Sequence, residues 1–516
     1  MKYRKKEIAV IVIFAIFIGS AYLFWPFLKN RLEGEGTENR RLAEFPVFSW
    51  KTVSSYPSQI EMYINDHLPF RSRMVELNSM IDYYLLNTSS SSRVVKGKDD
   101  WLFYNDVRDG DPMSDYTGRK LYSEKDLRTI ARNMEMTKDN LEAQGTKFVL
   151  LIAPNRERVY SEYIPSYYGK PAKENILKQV VDYLRENTDV IVLNPYDALM
   201  EYKSKHPDCI LYRKTDTHWN DLGGFIATQE LLDAVGKRFD ENVMSINGRD
   251  DTPGDMADML NLRNVIETGR TYFVTGFEHK NTTVVGKEDF HAHFEYKSPD
   301  AVNGSILVNR DSFTSAMRPF IKEAFKHSDM LHRHSFTNGV VEQEKPNVYV
   351  LELVERYMDT LLSYSYNNLS FEENINKYLD KLIAAEGRYV VLISVKDEAS
   401  NALTTELMDR LQALGVQTDL IGKYRNSFYS VMDGSSVIAE DIGTSLLGRQ
   451  GRLTDGQTYS VTSVGYDCGN TSSIVINGVE YSKKGRGLNI VVYDKKYKCV
   501  IDSVAFDTCD GLGASR

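Results

Sequence analysis

Cysteine is scarce: the 516 residues hold four (Cys209, Cys468, Cys499 and Cys509), none at the C-x-x-C spacing of a structural zinc site. A disulfide framework is excluded in a chain this long. For the three cysteines near the C-terminus, one local disulfide and three free thiols both remain open. Positive charge is also short of what a polyanion binder carries. Lys and Arg number 63 against 72 Asp and Glu, a formal charge of −9, which excludes nucleic acid as the main partner. No fixed-period repeat or low-complexity tract occurs, so a solenoid is not indicated. What is present is material for packed cores: 42% hydrophobic, 11% aromatic and 26% charged residues lie outside the disordered and collagen-like classes. At roughly 100 to 200 residues per domain, the length predicts about two to four domains.

The chain starts basic (Lys2, Arg4, Lys5, Lys6), then runs mostly apolar from Ile8 to Leu28 with Tyr22, Phe24 and Trp25 near the far end. About 20 apolar residues span a bilayer, and aromatic residues favour its interface. A cleaved signal has a shorter apolar core and an A-x-A-like exit. The pattern therefore predicts an uncleaved single-pass anchor, N-terminus in the cytoplasm and bulk of the chain outside. Cleavage would alter the tether and not the compartment. Arg31 to Glu44, polar with Gly34, Gly36 and Asn39, reads as a linker.

Beyond it, Glu124 to Gln144 has Leu127, Ile130, Met134 and Leu141 at helical spacing, and Lys147 to Ala153 is an apolar run of strand length. The alternation continues with a helix over Ile176 to Leu184, a strand over Val190 to Leu193 and a helix after Gly223. Further strands are expected at Ile306 to Val308 and Val348 to Leu353. Such alternation predicts an α/β fold with a mostly parallel sheet flanked by helices. Asn367 to Glu386 reads as a helix feeding a strand at Tyr389 to Val395. Beyond Thr444 come short strands and Gly-rich turns, predicting a smaller β-rich α+β domain after a boundary near residue 365.

The chemistry concentrates in two segments. In Tyr212 to Gly224, YRKTDTHWNDLGG, Asp216 and His218 stand at i and i+2, on one side of an extended stretch. A carboxylate holding one imidazole nitrogen fixes the tautomer and leaves the other nitrogen as a base. The plain alternative is an ordinary Asp–His pair. Ser312, in SILVNRDSFTSAMRPFI, falls between a strand and a helix. There a hydroxyl is lifted clear of the sheet, and helix-start N–H groups can stabilise an oxyanion. The plain alternative is an N-cap. A metal reading rests on Asp289, His291, His293 and Glu295 at alternate positions, with His332 and His334; unmetallated histidines on polar strands are the simpler account.

Asp216-Thr217-His218-Trp219, followed by Asn220 and a Gly pair, resembles the D-[TH]-H-W signature of the alginate O-acetyltransferases of the AlgJ and AlgX type and the related DHHW proteins. Other pieces match in the same order: ENRRLAEFP from Glu38, DHLPFR from Asp66, GKDDWLFY from Gly97, APNRERVY from Ala153, GDMADML from Gly254, DSF from Asp311 and VERYM from Val354. The resemblance implies an SGNH-hydrolase-like fold over residues 36–365, with Ser312 as nucleophile, His218 as general base and Asp216 as its orienter. It implies no cofactor and no metal. Arg356, Trp219 and Tyr357 become candidate substrate contacts, with a structural salt bridge as the alternative for Arg356. The order Asp, His, Ser departs from ordinary SGNH hydrolases and follows the alginate-acetylation branch. Arg310, where Gly is usual, departs from the block's pattern.

Residues 366–516 are similar to the interleukin-like EMT-inducer (PANDER-like) domain through YVVLISVKDEAS, KYRNSFYSV, GRGLNIVVYD and VAFDT, in apparently permuted order. That domain binds sugar in the stem of a protein O-mannose N-acetylglucosaminyltransferase. Here Tyr424, Phe428, Tyr429 and Tyr466 are the candidate stacking faces, or else core. The expectation is thus a membrane-anchored, extracytoplasmic O-acetyltransferase for a cell-surface or exported polysaccharide, supplied with acyl groups by a membrane-bound O-acyltransferase. The alternatives are an acetyl esterase using the same triad and a non-catalytic glycan-binding or assembly protein.

Overall fold

The computed structural model of the chain describes residues 8–16, 19, 43–67 and 71–516. Most of the expected membrane span, Ile8 to Leu28, and most of the linker lie outside these residues. Residues 8–16 are helical, and among the described residues no helix is long and apolar enough to cross a membrane.

The chain divides into two compact units: Met1–Leu127, Val149–Arg333 and Val350–Thr360 form one, and Arg128–Phe148, His334–Tyr349 and Leu361–Arg516 the other. In chain order the strands up to residue 354 are β1 (Val94–Lys96), β2 (Leu102–Tyr104), β3 (Lys147–Ala153), β4 (Ile191–Leu193), β5 (Ser245–Asp250), β6 (Arg270–Thr275), β7 (Thr283–Val284), β8 (His293–Lys297), β9 (Asn303–Arg310), β10 (Phe325–His332) and β11 (Val348–Val354). The central sheet has seven strands in the order β4-β3-β11-β9-β10-β8-β7. Pairs β3/β4 and β9/β10 are parallel, as alternating strands and helices require, since a crossover helix returns the chain to the same end of the sheet. The sheet is nonetheless mixed: β8 runs antiparallel to β10, and β7 to β8. The polar stretch before β8 supplies no crossover helix, so that edge closes by hairpin pairing. Strands β3 and β11 are buried along almost their whole length, which accounts for their apolar character, and β9 is buried from Ile306 to Arg310.

In the second unit, Tyr389–Asp397 pairs antiparallel with both Ser427–Asp433 and Gly487–Asp494. Val391, Ile393 and Val395 pack with Leu379, Leu407 and Leu411 of the helices Ile375–Ala384 and Thr405–Leu414. Val390 and Leu392 enter a separate core with Val461, Ile474 and Tyr493. Both faces are therefore covered, and YVVLISV reads as an unbroken apolar run. The expected helix from Asn367 begins only at Ile375. Asn367 turns the chain by accepting from the N–H groups of Leu369 and Ser370, and Asn374 caps the helix by accepting from Asn376 and Lys377. The four candidate stacking aromatics separate: Phe428 and Tyr429 are core residues at 1% and 6% exposure, whereas Tyr424 and Tyr466 are 61% and 50% exposed. Arg425 lies between the exposed pair, its guanidinium 4.9 Å from one ring and 4.1 Å from the other, and bonds Asp467 at 3.3 Å. All four cysteines are free.

Candidate active site

Ser312 stands at the C-terminal end of β9, in the tight connection to the helix Thr314–Ala324. Asp311 shapes this turn: its carboxylate accepts from Phe313 N–H (2.8 Å) and Val354 N–H (2.6 Å), joining the end of β9 to that of β11. Its own N–H donates to Glu352 (3.0 Å), which also accepts from Thr314 Oγ1 (2.7 Å). Burial, reinforced by the nearby Asp311 charge, pushes the Glu352 carboxyl well above the ordinary range. Arg310 does not need to be glycine, because its φ is not positive. Its buried side chain lies 4.5 Å over the Phe294 ring and donates to the carbonyls of Asp311 and Phe290. Of the helix-start N–H groups expected to serve an oxyanion, that of Phe313 is already taken by Asp311, and those of Ser315 and Ala316 by the carbonyls of Ser312 and Phe313.

His218 reaches Ser312 from a separate loop. Residues 212 to 219 are not an extended strand. They form a compact loop closed by a Tyr212–Trp219 bridge and by Asn220 N–H donating to the Leu211 carbonyl. Asp216 and His218 meet because the chain turns: Asp216 Oδ1 accepts both the His218 backbone N–H (3.1 Å) and Nδ1–H (2.7 Å). Nε2 is then the acceptor for the Ser312 hydroxyl at 2.7 Å. Asn220 caps the following helix, which begins at Asp221, before the expected Gly223. The glycine pair has a steric purpose. A Cβ on Gly224 would lie 2.4 Å from the Ala316 carbonyl oxygen, so glycine lets the histidine-bearing segment's helix pack on the helix that follows Ser312.

Two further groups hold the loop. Arg213 bonds Asp216 Oδ2 at 2.6 Å and is itself held by Asp251 (3.0 Å). Arg156, fully buried after β3, donates to the carbonyls of Arg213 (2.9 Å), Lys214 (3.2 Å) and Asp216 (2.7 Å). The APNRERVY piece is thus structural: Glu157 accepts from Tyr104 N–H, and Arg158 pairs with Glu355.

Burial works against a charged Asp216, but the bond and charge of His218, with Arg213, outweigh it and hold this carboxyl well below the ordinary range. Burial likewise opposes a charged His218, yet the Asp216 bond and charge, with Asp255, raise its pKa above the ordinary value. Asp255 was not singled out by sequence, although it lies in the GDMADML piece. Its Oδ2 is 4.0 Å from His218 Nδ1, and it accepts from Thr217 N–H (2.8 Å) and Oγ1 (2.6 Å).

The remaining candidates divide. Trp219 is buried beneath the serine turn, donating from Nε1 to the Phe313 carbonyl at 2.9 Å. Arg356 lies buried among Tyr104, Phe313 and Tyr357, and Tyr357 donates to Asp109 at 3.0 Å. A cleft of about 710 Å³ opens at His218 and Ser312, bordered also by Arg213, Arg249, Arg318 and Phe290.

The proposed metal strand resolves into His–carboxylate pairs: His293 with Asp329 at 2.6 Å and His327 with Glu295 at 3.0 Å, across β8 and β10. Among the described residues, the three-ligand group is Asp216, His218 and Asp255. Its donors do not suit a cation, because both imidazole nitrogens are committed to Asp216 and Ser312 and the Arg213 guanidinium occupies the other Asp216 oxygen.

Residues 94–294 match the family model described as SGNH hydrolase-like domain, acetyltransferase AlgX; the match includes Asp216 and His218 and ends before Ser312. The chain is 25% identical over 201 residues to a probable alginate O-acetylase AlgJ of Pseudomonas syringae pv. tomato, covering 39% of this chain and 48% of that protein. The chain thus spans less than half the length of that relative. Among solved structures it resembles Bacillus cereus PatB1 (TM-score 0.40, 16% identity, 53% of this chain and 98% of that one). It also resembles the O-acetyltransferase domain of Pseudomonas putida AlgJ (TM-score 0.35, 19% identity, 54% and 95%). Over residues 94–294 the chain is therefore similar to the SGNH hydrolase-like domain of the AlgX acetyltransferase family.

Proposed function

We propose that the chain is an extracytoplasmic O-acetyltransferase, anchored in the cell membrane by its N-terminal apolar segment, that acetylates a cell-surface or exported polysaccharide through an acyl-enzyme on Ser312. The observation that carries this reading is the unbroken line from Asp216 through His218 to Ser312, 2.7 Å at each junction. Ser312 Oγ attacks the acetyl carbonyl as its proton passes to His218 Nε2; the ester forms and the donor's alcohol leaves with that proton. A sugar hydroxyl then gives its proton to Nε2 and attacks the ester carbonyl; the bond to Ser312 Oγ breaks, and Nε2 returns the proton to that oxygen, restoring the serine hydroxyl and neutral histidine. The Ser312 N–H is the proposed oxyanion donor, with Arg356 and Tyr357 bordering the substrate. The polysaccharide acceptor follows from the relation to alginate O-acetylases. A membrane-bound O-acyltransferase is the proposed acyl supplier.

The test is adduct formation. Incubated with p-nitrophenyl acetate, the folded chain acquires one acetyl group, which peptide mass spectrometry locates on Ser312. Added oligosaccharide then receives acetyl that water would otherwise take. A folded chain that neither turns over ester nor holds an adduct would sink the proposal.

The reaction has a defined pH dependence. His218 acts as base only when neutral, and its carboxylate neighbours, against the effect of burial, raise its pKa above the ordinary value of about 6.5. The protonated, inactive form therefore persists to higher pH than for a free histidine. Activity in kcat/KM should rise with pH through a midpoint above that value. A midpoint below it contradicts this electrostatic account.

Residues 366–516 are proposed as a glycan-binding module related to the interleukin-like EMT-inducer domain. Support comes from the exposed Tyr424 and Tyr466 flanking Arg425. Losing one stacking face of about 0.5–1.5 kcal/mol, Tyr424→Ala or Tyr466→Ala weakens retention on immobilised polysaccharide roughly three- to tenfold. Undiminished retention in the double variant removes these rings from the binding surface.

A further inference from the structure

Beside the Asp216–His218–Ser312 line stands a carboxylate that this line does not use. Asp255 opens the helix Asp255–Met259, which docks its first turn onto the loop: the N–H groups of Met256 and Ala257 both donate to the Thr215 carbonyl. The approach is close. Gly254 N–H donates to Thr215 Oγ1, and a Cβ on Gly254 would stand 2.3 Å from Asp216 Cβ. Glycine is what allows the Asp255 turn to lie against the triad acid. From there both Asp255 oxygens hold Thr217, the residue between Asp216 and His218, through its N–H at 2.8 Å and its hydroxyl at 2.6 Å. Thr217 Oγ1 is in turn 3.3 Å from His218 Nδ1, and Asp255 Oδ2 is 4.0 Å from the same nitrogen.

We propose that Asp255 is a positioning residue of this site: it clamps Thr217 and, with Asp216, presents a second negative charge to the Nδ1 edge of His218, stabilising the imidazolium formed when Ser312 gives up its proton. This rests on the reading of His218 as the general base. Oppositely charged groups within about 4–6 Å favour each other's ionised forms. Several charged groups face the imidazole. On its own loop are Asp216 and, behind it, Arg213, which bonds Asp216 and Asp251. From the docked helix comes Asp255, and from the serine turn come Ser312 and the Phe313 ring at 4.9 Å. From beyond β11 comes the Arg356 charge, which opposes protonation. Burial and the Asp216 charge raise the Asp255 carboxyl above its ordinary range, and His218 and the two Thr217 bonds offset this only in part, so histidine and aspartate titrate as linked partners. At His218 the two carboxylates outweigh the opposing Arg356 charge. Serine attack, which creates positive charge on that ring, is the step they favour.

The experiment is a substrate-free titration. In full-length protein with 13Cε1-labelled histidine, the His218 signal is assigned by its absence in His218→Ala and followed with pH in wild type and Asp255→Asn. The asparagine keeps an oxygen for the Thr217 N–H and an amide for its hydroxyl, while removing the charge. The expected result is a His218 midpoint lowered by about one unit, with the rise of kcat/KM moved down by the same amount. A side chain that only braces the loop would lower kcat and leave both midpoints in place, and that outcome overturns the proposal. Asp255→Ser, smaller and equally uncharged, gives the same reading should asparagine disturb folding. A moved midpoint without any acyl transfer would refute the proposed function and sustain this inference. Intact acylation with an unmoved midpoint would do the reverse.

Discussion

Ser312→Ala reduces p-nitrophenyl acetate turnover by roughly 10⁴- to 10⁶-fold and abolishes the acetyl adduct, the scale on which loss of a nucleophile or its base acts when the two work as a unit. His218→Ala falls to the same level, and the double variant falls no further, because either change alone removes proton transfer along the 2.7 Å Oγ–Nε2 contact. The fold does not depend on this hydroxyl. Its hydrogen bond runs to His218, whereas the turn is held by Asp311, Glu352 and Thr314. Thermal unfolding of Ser312→Ala should therefore match wild type within about 0.5 kcal/mol. Substantial turnover in Ser312→Ala, or an adduct on another residue, would move the chemistry elsewhere and leave the glycan-binding reading to account for the protein.

Arg156→Met is expected to lower stability by about 3 kcal/mol or more and to abolish acylation, although Arg156 touches neither Ser312 nor the His218 ring. The guanidinium is fully buried and donates to the carbonyls of Arg213, Lys214 and Asp216, in one short stretch of the loop that presents the base. Methionine fills similar space but donates nothing. The buried Asp216 carbonyl loses its donor, at about 1–3 kcal/mol, while the Arg213 and Lys214 carbonyls each lose one bond and keep those from the Asp216 and Leu102 N–H groups. The negative field of Glu157, Asp216 and Asp255, which supports the buried charge, is left uncompensated as well. Denaturant unfolding monitored alongside ester turnover is the check. An unchanged midpoint with full activity would show that the backbone of residues 213 to 216 holds its course without the guanidinium.

The alternation of apolar helices and strands was legible in the chain because each run obeys its own short-range period: β3 spans the expected Lys147 to Ala153, and the helix at Glu124 starts at the expected residue. The antiparallel edge of the sheet was not, since β7 and β8 are short, partly polar strands whose partners are chosen by the sheet they meet. Asp216, His218 and Ser312 could be singled out because their chemistry is local, in an Asp two residues from a His and a Ser between a strand and a helix. A turn, and not the extended stretch that their i, i+2 spacing suggests, brings Asp216 to His218. Trp219 is buried beneath the serine turn while also bordering the cleft at His218 and Ser312, and burial of that kind has no signature within a four-residue motif.

By itself, then, the sequence determined the residue types, their spacing and the apolar periodicities, and with them an α/β body, a β-rich C-terminal module and the elements of a proton relay. These follow from interactions within a few residues, where the chain's own geometry decides. Tertiary structure alone decided that His218 meets Ser312, 94 positions further along the chain, that Arg156 supports the base's loop from the end of β3, and that Asp255 stands beside the imidazole. Each of those contacts joins segments far apart in the chain, and only packing of the sheet and its helices brings such segments within hydrogen-bonding or electrostatic reach.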